Sequence, residues 1–257
     1  MSKEIIKKIN KINQEFYKTI FSSFNQTRRY SWDAWQPLIQ DIQFPKELKI
    51  LDLGCGNGRF AEFLAENLDE KIKLHYVGVD SSKELLNLGK KHLSKLKREN
   101  FSFEFIEKNI LEEDLNFNNQ KFDLIVLFGV MHHIYDENSR IQLFNQIQNS
   151  LSDNGKFIFT TWQFLENERQ KKKILNLDLE DGKKFLQKFK LKKENFKKND
   201  YILSWERQVK AFRYCHHYLE SEISNLAIQT NFKIEKTFFG DGKEGNLNKY
   251  CIFVKKL

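Results

Sequence analysis

The chain is predicted to fold as a mixed α/β domain, with a mostly parallel seven-stranded sheet ending in an antiparallel hairpin and helices on both faces. Three observations predict this. Between residues 48 and 162, apolar runs of strand length alternate with amphipathic segments of helix length, the rhythm of right-handed strand-helix-strand crossovers. A loop with three glycines in five residues, Gly54, Gly56 and Gly58, joins the first run to the first amphipathic segment. The last two apolar runs are joined by "DGKEGNLN", rich in residues that tolerate positive φ, as a hairpin requires.

Taken in order, Ile5, Ile6, Ile9, Ile12, Phe16 and Ile20 recur at spacings of three and four and predict an amphipathic helix over 3–24. A short helix is expected over 33–42. The core then reads as strand 48–53, helix 58–68, strand 74–80, helix 82–97, strands 101–107 and 122–128, helix 136–151 and strand 155–162. Continuous apolar runs such as "FDLIVLF" suit strands covered on both faces. A basic stretch over 166–199 interrupts the rhythm, which resumes with helix 221–232 and strands 233–240 and 249–256. A single domain of 257 residues is expected: an N-terminal helical segment (1–45), a ligand-binding core (46–162), a basic insertion or lid (163–212) and a C-terminal helix and hairpin (213–257).

Composition narrows the function classes. No apolar run reaches 18 residues and the N-terminus lacks a secretory pattern, so a cytoplasmic protein without membrane contact is expected. Cys55, Cys215 and Cys251 stand far apart, which suggests neither a disulfide framework nor a metal knuckle. The net charge of +8 is carried entirely by residues 169–199, where twelve Lys and Arg face four acids and Phe185, Phe189 and Phe196 interleave. Such a segment attracts a polyanion. It is equally what a solvated lysine-rich helix with a buried phenylalanine stripe looks like.

The glycine loop, between a strand and a helix, puts backbone N–H groups and a helix N-terminus at the carboxyl edge of the sheet. Its pattern is G-x-G-x-G, with Arg59 where dinucleotide sites have their third glycine, and no Gly-Lys-Ser/Thr follows. A pyrophosphate is therefore disfavoured. Asp80 at the tip of the next strand is placed to accept ribose hydroxyls, and Asp52 beside the loop suits an ammonium group. A ligand with ribose, adenine and an amino acid meets both acids.

The runs "ILDLGCGNGRF", "VGVDSS", "FIEKNILE" and "FDLIVLFGVMHHI", in this order and spacing, closely resemble the successive motifs of class I S-adenosylmethionine-dependent methyltransferases. The resemblance covers about residues 48–162 and implies the Rossmann-like fold of that class. It implies S-adenosylmethionine as cofactor, with Asp52, Gly54, Cys55, Gly56 and Gly58 around the methionine part, Asp80 and Ser81 at the ribose, Asn109 and Ile110 at the adenine, and Phe128 nearby. Asn109 replaces the more frequent Asp; its amide oxygen can still accept from the adenine amino group.

Two more segments are similar to patterns of the tRNA wobble-uridine methyltransferases that esterify a 5-carboxymethyl group: "FNQTRRYSW" to F-x-x-T-R-Y-x-x-W, and "DYILSW" with "RYCHHYLESEI" to G-D-x-L-x-x-W and R-Y-Y-H-x-F-x-x-x-E-L. Arg29, Ser31, Asn199 and Cys215 depart from them. The resemblance implies tRNA as partner and leaves room for a small activating protein subunit. A carboxylate, with a pKa near ~4, is ionised at neutral pH and needs no base to attack a sulfonium methyl; positioning dominates. Arg28, His133 and Arg213 are the candidates to grip and orient it, and Tyr30, Trp32, His132, Tyr214, His217, Lys171, Lys172 and Lys173 the candidates to meet the RNA. Each has a duller reading as a packing or capping residue, and Trp35, Trp205 and Cys55 are expected to be packing or loop residues. No metal is expected. The rival functions are a small-molecule methyltransferase on the same core and a noncatalytic RNA-binding scaffold.

Overall fold

The computed structural model describes residues 3–26, 30–117, 119–206 and 209–256. Helix α1 (Lys3–Gln26) and the short α2 (Trp35–Gln40) lead into β1 (Glu47–Leu53), α3 (Arg59–Asn67), β2 (Lys73–Asp80), α4 (Lys83–Leu93), β3 (Phe101–Glu107), β4 (Phe122–Leu127), α5 (Glu137–Ser150) and β5 (Leu151–Trp162). The insertion holds α6 (Glu168–Lys171), α7 (Glu180–Phe189), β6 (Asp200–Glu206) and β7 (Lys210–His216), after which α8 (Glu220–Gln229), β8 (Phe232–Gly240) and β9 (Asn248–Lys255) complete the chain.

The main sheet has the order β3-β2-β1-β4-β5-β9-β8. The final hairpin forms as expected, but β9 inserts between β5 and β8 and is antiparallel to both, so β9 alone runs against the others. Strand alternation divides the core in two. Leu51 and Leu53 of β1, with Val77, Ile125, Phe157 and Phe253, face α5 and α8. Leu48 and Ile50, with Leu74, Tyr76, Leu124 and Ile252, face α2, α3 and α4. Asp52 has the parity of this second set, so the pleat that buries Ile50 also buries a carboxylate. Arg98 closes the turn between α3 and β2, where it donates to the carbonyls of Ala65, Leu68, Asp69 and Ile72.

The insertion departs most from the sequence reading. Residues 200–216 pair as an antiparallel two-stranded sheet, β6 with β7, and the domain division expected after residue 212 falls inside β7. Helix α1 packs on this unit: Ile9 and Ile12 join Phe185, Phe189, Ile202 and Tyr214, while Phe16 and Ile20 meet Ala211. Phe185 and Phe189 are buried, so they serve packing and not base stacking.

A buried polar hub ties the insertion to the core. Asp200 Oδ1 accepts from the Tyr214 hydroxyl (2.6 Å) and lies 2.7 Å from His216 Nδ1, whose Nε2 lies 2.9 Å from Glu222 Oε1. The imidazole thus bridges the two carboxyl groups. These contacts hold Glu222 well below the usual carboxylate range, at about 2, despite the opposing effect of burial.

Candidate active site

A crevice of about 1020 Å³ opens along the carboxyl edge of the sheet. One wall is the glycine loop. Gly54 adopts φ +75°, and a Cβ there would lie 2.4 Å from Val130 Cγ2; Gly56 adopts φ +57°, and a Cβ on it would meet nothing within 4 Å. Only glycine holds this turn without strain while leaving the space in front of Gly56 clear. Asp80 braces the same turn through Oδ2, which accepts from Gly56 N at 2.8 Å, while its Oδ1 accepts from Ser82 N at 2.9 Å in the turn after β2. Gly58 caps α3 and stands behind the loop.

Asp52 forms the floor, 3 % exposed, and its Oδ2 accepts from the Tyr76 hydroxyl at 2.7 Å. Burial outweighs that hydrogen bond and raises its pKa to about 7. Asp80 is raised as well, chiefly by burial, and burial also lifts the Cys55 thiol. Two desolvated carboxylates at one end of a crevice suit a cationic ligand with hydroxyls. Ser81, Asn109 and Ile110 line the same end with Glu107 and Glu113. Asn109 Oδ1 accepts from Leu111 N at 3.1 Å, so the oxygen expected to meet adenine also shapes its own turn; its second lone pair leaves that role feasible.

Asn10, Asn13, Gln14, Tyr17 and Lys18 of α1 also line the crevice, with Trp32, Phe128, Val130 and His133, and Gln14 donates to Glu112 beside the Asn109 turn. The imidazole of His133 is fixed on both sides: Nδ1 lies 3.0 Å from the Tyr214 carbonyl and Nε2 2.7 Å from the Tyr17 hydroxyl. A carbonyl can only accept, so Nδ1 carries a proton, and in the neutral ring Tyr17 donates to Nε2. Trp32 stacks on Trp35 with ring centroids 5.5 Å apart.

The remaining candidates lie elsewhere. His132 is buried between His133 (ring centroids 4.1 Å apart) and Trp162 (5.4 Å). Arg213, 7 % exposed, precedes the Tyr214 that holds His133, its guanidinium 4.4 Å from the Trp162 ring centroid and 5.2 Å from that of Phe16. Among the described residues it has no acid and no hydrogen-bond acceptor. Tyr214 corrects the expectation of a stacking platform: it is fully buried, with its hydroxyl committed to Asp200. His217 is likewise buried, against Phe164, outside the crevice, and burial lowers its pKa. Lys171 pairs with Glu168 at 2.8 Å and Lys173 reaches Gln170, so with Lys172 they form an outer surface away from the crevice. Tyr30 is 83 % exposed, and its carbonyl accepts from Arg59. Arg28 lies outside the described residues. His132, His133 and Cys215 cluster within 4.8 Å, but both His133 nitrogens are engaged and burial pushes the Cys215 thiol up to about 12, which opposes metal ligation.

Residues 45–220 match the model of a family described as a methyltransferase domain. The chain belongs to that family. This methyltransferase is similar to a carboxy-S-adenosyl-L-methionine synthase of Campylobacter concisus, 28 % identical over 81 % of this chain and 78 % of that protein. It is also similar to a tRNA (carboxymethyluridine(34)-5-O)-methyltransferase of Schizosaccharomyces pombe, 22 % identical over 60 % of this chain and 58 % of the other. In fold, it superposes on an S-adenosylmethionine-dependent methyltransferase from Clostridium acetobutylicum with a TM-score of 0.62 at 16 % identity, over 96 % of this chain and 98 % of that one. S-adenosylmethionine is the cofactor of this methyltransferase, and the residues fit it: buried Asp52 faces the crevice where an ammonium would sit, and Asp80 stands at the tip of β2 where a ribose would.

Sequence reasoning missed Tyr76, Tyr17 and the α1 amides. Tyr76 was findable, since it pairs with Ile50 in register and shares the pleat of Asp52. The amides lay on what reads as the solvent face of α1, and only the packing of that helix reveals otherwise.

Proposed function

We propose that this methyltransferase esterifies a carboxylate acceptor, the 5-carboxymethyl group of a wobble uridine in tRNA. The observation that carries the reading is an uncompensated cation behind the crevice. Behind His133, whose Nδ1 faces the Tyr214 carbonyl, β7 carries Arg213, a buried cation without a counter-charge among the described residues. An uncompensated buried guanidinium is costly, and an anion brought near it offsets the cost. The cofactor supplies a methyl group on a cationic sulfur; an anionic acceptor then meets a field that favours it from both sides. The acceptor arrives already ionised and needs no base, so the site has only to position it. The basic surface of the insertion supports an RNA partner, and the similarity to the fission yeast enzyme points to the same substrate.

A second reading, transfer to a small anionic metabolite, is favoured by the higher identity and longer coverage of the Campylobacter relative. Mass spectrometry of tRNA nucleosides from cells with and without the gene separates the two. Loss of the methyl ester and accumulation of 5-carboxymethyluridine supports the tRNA reading. An unchanged nucleoside profile overturns it.

A further inference from the structure

Helix α1 carries three amides and a phenol on one line: Asn10, Asn13, Gln14 and Tyr17, at positions i, i+3, i+4 and i+7. This spacing places them on a single helical face, and all four line the crevice. Asn10 is 7 % exposed, and its side chain makes no hydrogen bond among the described residues. Asn13 is 8 % exposed; its Oδ1 accepts from Tyr214 N at 2.9 Å, which fixes the amide, and its Nδ2 has no partner. Gln14 is steadied at the rim by Glu112, 3.2 Å away. Asn10 and Asn13 are the buried pair of this row, and Asn13 Nδ2 is a fully buried donor without a partner; a buried unpaired amide is destabilising by about 1–3 kcal/mol, and a ligand that completes its hydrogen bonds offsets that cost.

The cofactor's expected contacts, on the glycine loop, Asp80 and the turn at Asn109, do not include the two buried amides; only the exposed Gln14 reaches that turn, through Glu112. Phosphate is also a poor match, because these side chains carry no charge. An apolar acceptor would leave the amides unpaired and is disfavoured for the same reason. A flat ring with alternating carbonyl acceptors and an imide N–H matches amides that both donate and accept. Trp32 and Phe128, ring centroids 6.0 Å apart, line the same crevice and offer aromatic faces to such a ring. Ile9 and Ile12, fully buried against the insertion, hold the row in place before any ligand arrives.

We infer that the amide face of α1 is the acceptor-base subsite, which reads the hydrogen-bonding edge of a pyrimidine extruded from RNA. The inference rests on the proposed function, since it presumes an RNA acceptor. Its test is a binding titration of the full chain loaded with S-adenosylhomocysteine, using anticodon stem-loop oligonucleotides with 5-carboxymethyluridine, uridine or an abasic site at the wobble position.

The wild type binds the two base-bearing loops about tenfold or more tighter than the abasic loop, the scale of one or two completed buried hydrogen bonds. Asn10→Leu, which removes an amide that supports nothing else, erases most of that difference and leaves S-adenosylhomocysteine affinity within about twofold. Asn13→Asp keeps the acceptor for Tyr214 N, turns the unpaired donor into an acceptor, and acts in the same direction; cofactor-product binding reports whether either variant is folded. Equal binding of base-bearing and abasic loops by the wild type overturns the inference. So does unchanged discrimination in folded Asn10→Leu, or an equal loss of S-adenosylhomocysteine affinity, which would assign the row to the cofactor. If uridine and 5-carboxymethyluridine loops bind alike and both depend on Asn10, the base subsite stands and the carboxylate reading falls.

Discussion

Asp52 is the buried acid on which the proposed cofactor pose depends most. Its folded pKa of about 7 lies above the ordinary carboxylate value of 3.8, so the native state holds a proton that the unfolded chain has released. The ligand-free protein therefore loses stability as pH rises from about 4 to 7. An incoming ammonium requires the ionised form, so below pH 7 binding must first expel that proton. We expect S-adenosylhomocysteine affinity to fall about tenfold per pH unit below about 7. Asp52→Asn should bind more weakly with no such slope, and calorimetric titration between pH 5.5 and 8 checks both. Asp80 has a double task, since one of its oxygens also braces the glycine loop and the other the turn after β2. Asp80→Asn sets an NH₂ against one of those backbone donors, and a rise of about tenfold or more in the dissociation constant for S-adenosylhomocysteine is expected, read in the same calorimeter.

At the scale of elements, the hub of Asp200, His216 and Glu222 joins β6, β7 and α8. Asp200, His216 and Glu222 belong to the "DYILSW" and "RYCHHYLESEI" runs that resemble the wobble-uridine enzymes, and here they work through position: β7 carries Arg213 and presents the Tyr214 carbonyl to His133. The folded pKa of Glu222, about 2, lies below its unfolded value of 4.5. Its contribution to stability is thus complete above pH 4.5 and lost as pH falls toward 2. Glu222→Gln should lower the unfolding free energy at pH 7 by on the order of 2 kcal/mol and flatten its acid-side decline. Urea denaturation at pH 7 and pH 3.5 measures both effects.

For the whole molecule, charge and shape divide the labour. The parallel sheet supplies the edge along which the crevice opens, while α1, packed on the insertion, supplies a further wall. No helix among the described residues is long and apolar enough to cross a membrane. The excess positive charge lies on the outer face of the insertion, and only part of it is neutralised locally, as by Glu168 at Lys171 and Asp178 at Lys193. Replacing Lys171, Lys172 and Lys173 by glutamine should weaken tRNA binding and reduce the slope of log affinity against log salt by up to about three. Filter binding over a salt series measures this; an unaltered slope means that the patch faces away from RNA.

The strand rhythm, the glycine loop, the terminal hairpin and two acids that line the crevice, Asp52 and Asp80, were legible because each depends on local chemistry: periodicity, positive φ, and carboxylates at strand tips. The strands β6 and β7 were not, since "DYILSW" and "RYCHHY" have too little apolar alternation to announce a pair that is buried by α1 rather than by the main sheet. The same reason hid the roles of Tyr214 and Asn13. A residue's exposure is set by what packs over it, and α1 lies about 200 residues upstream of the β7 backbone it meets, as in the bond from Tyr214 N to Asn13. The sequence by itself determined the fold and the cofactor. Tertiary structure alone decided which polar groups are buried without partners, because only the closing of distant segments removes water from them.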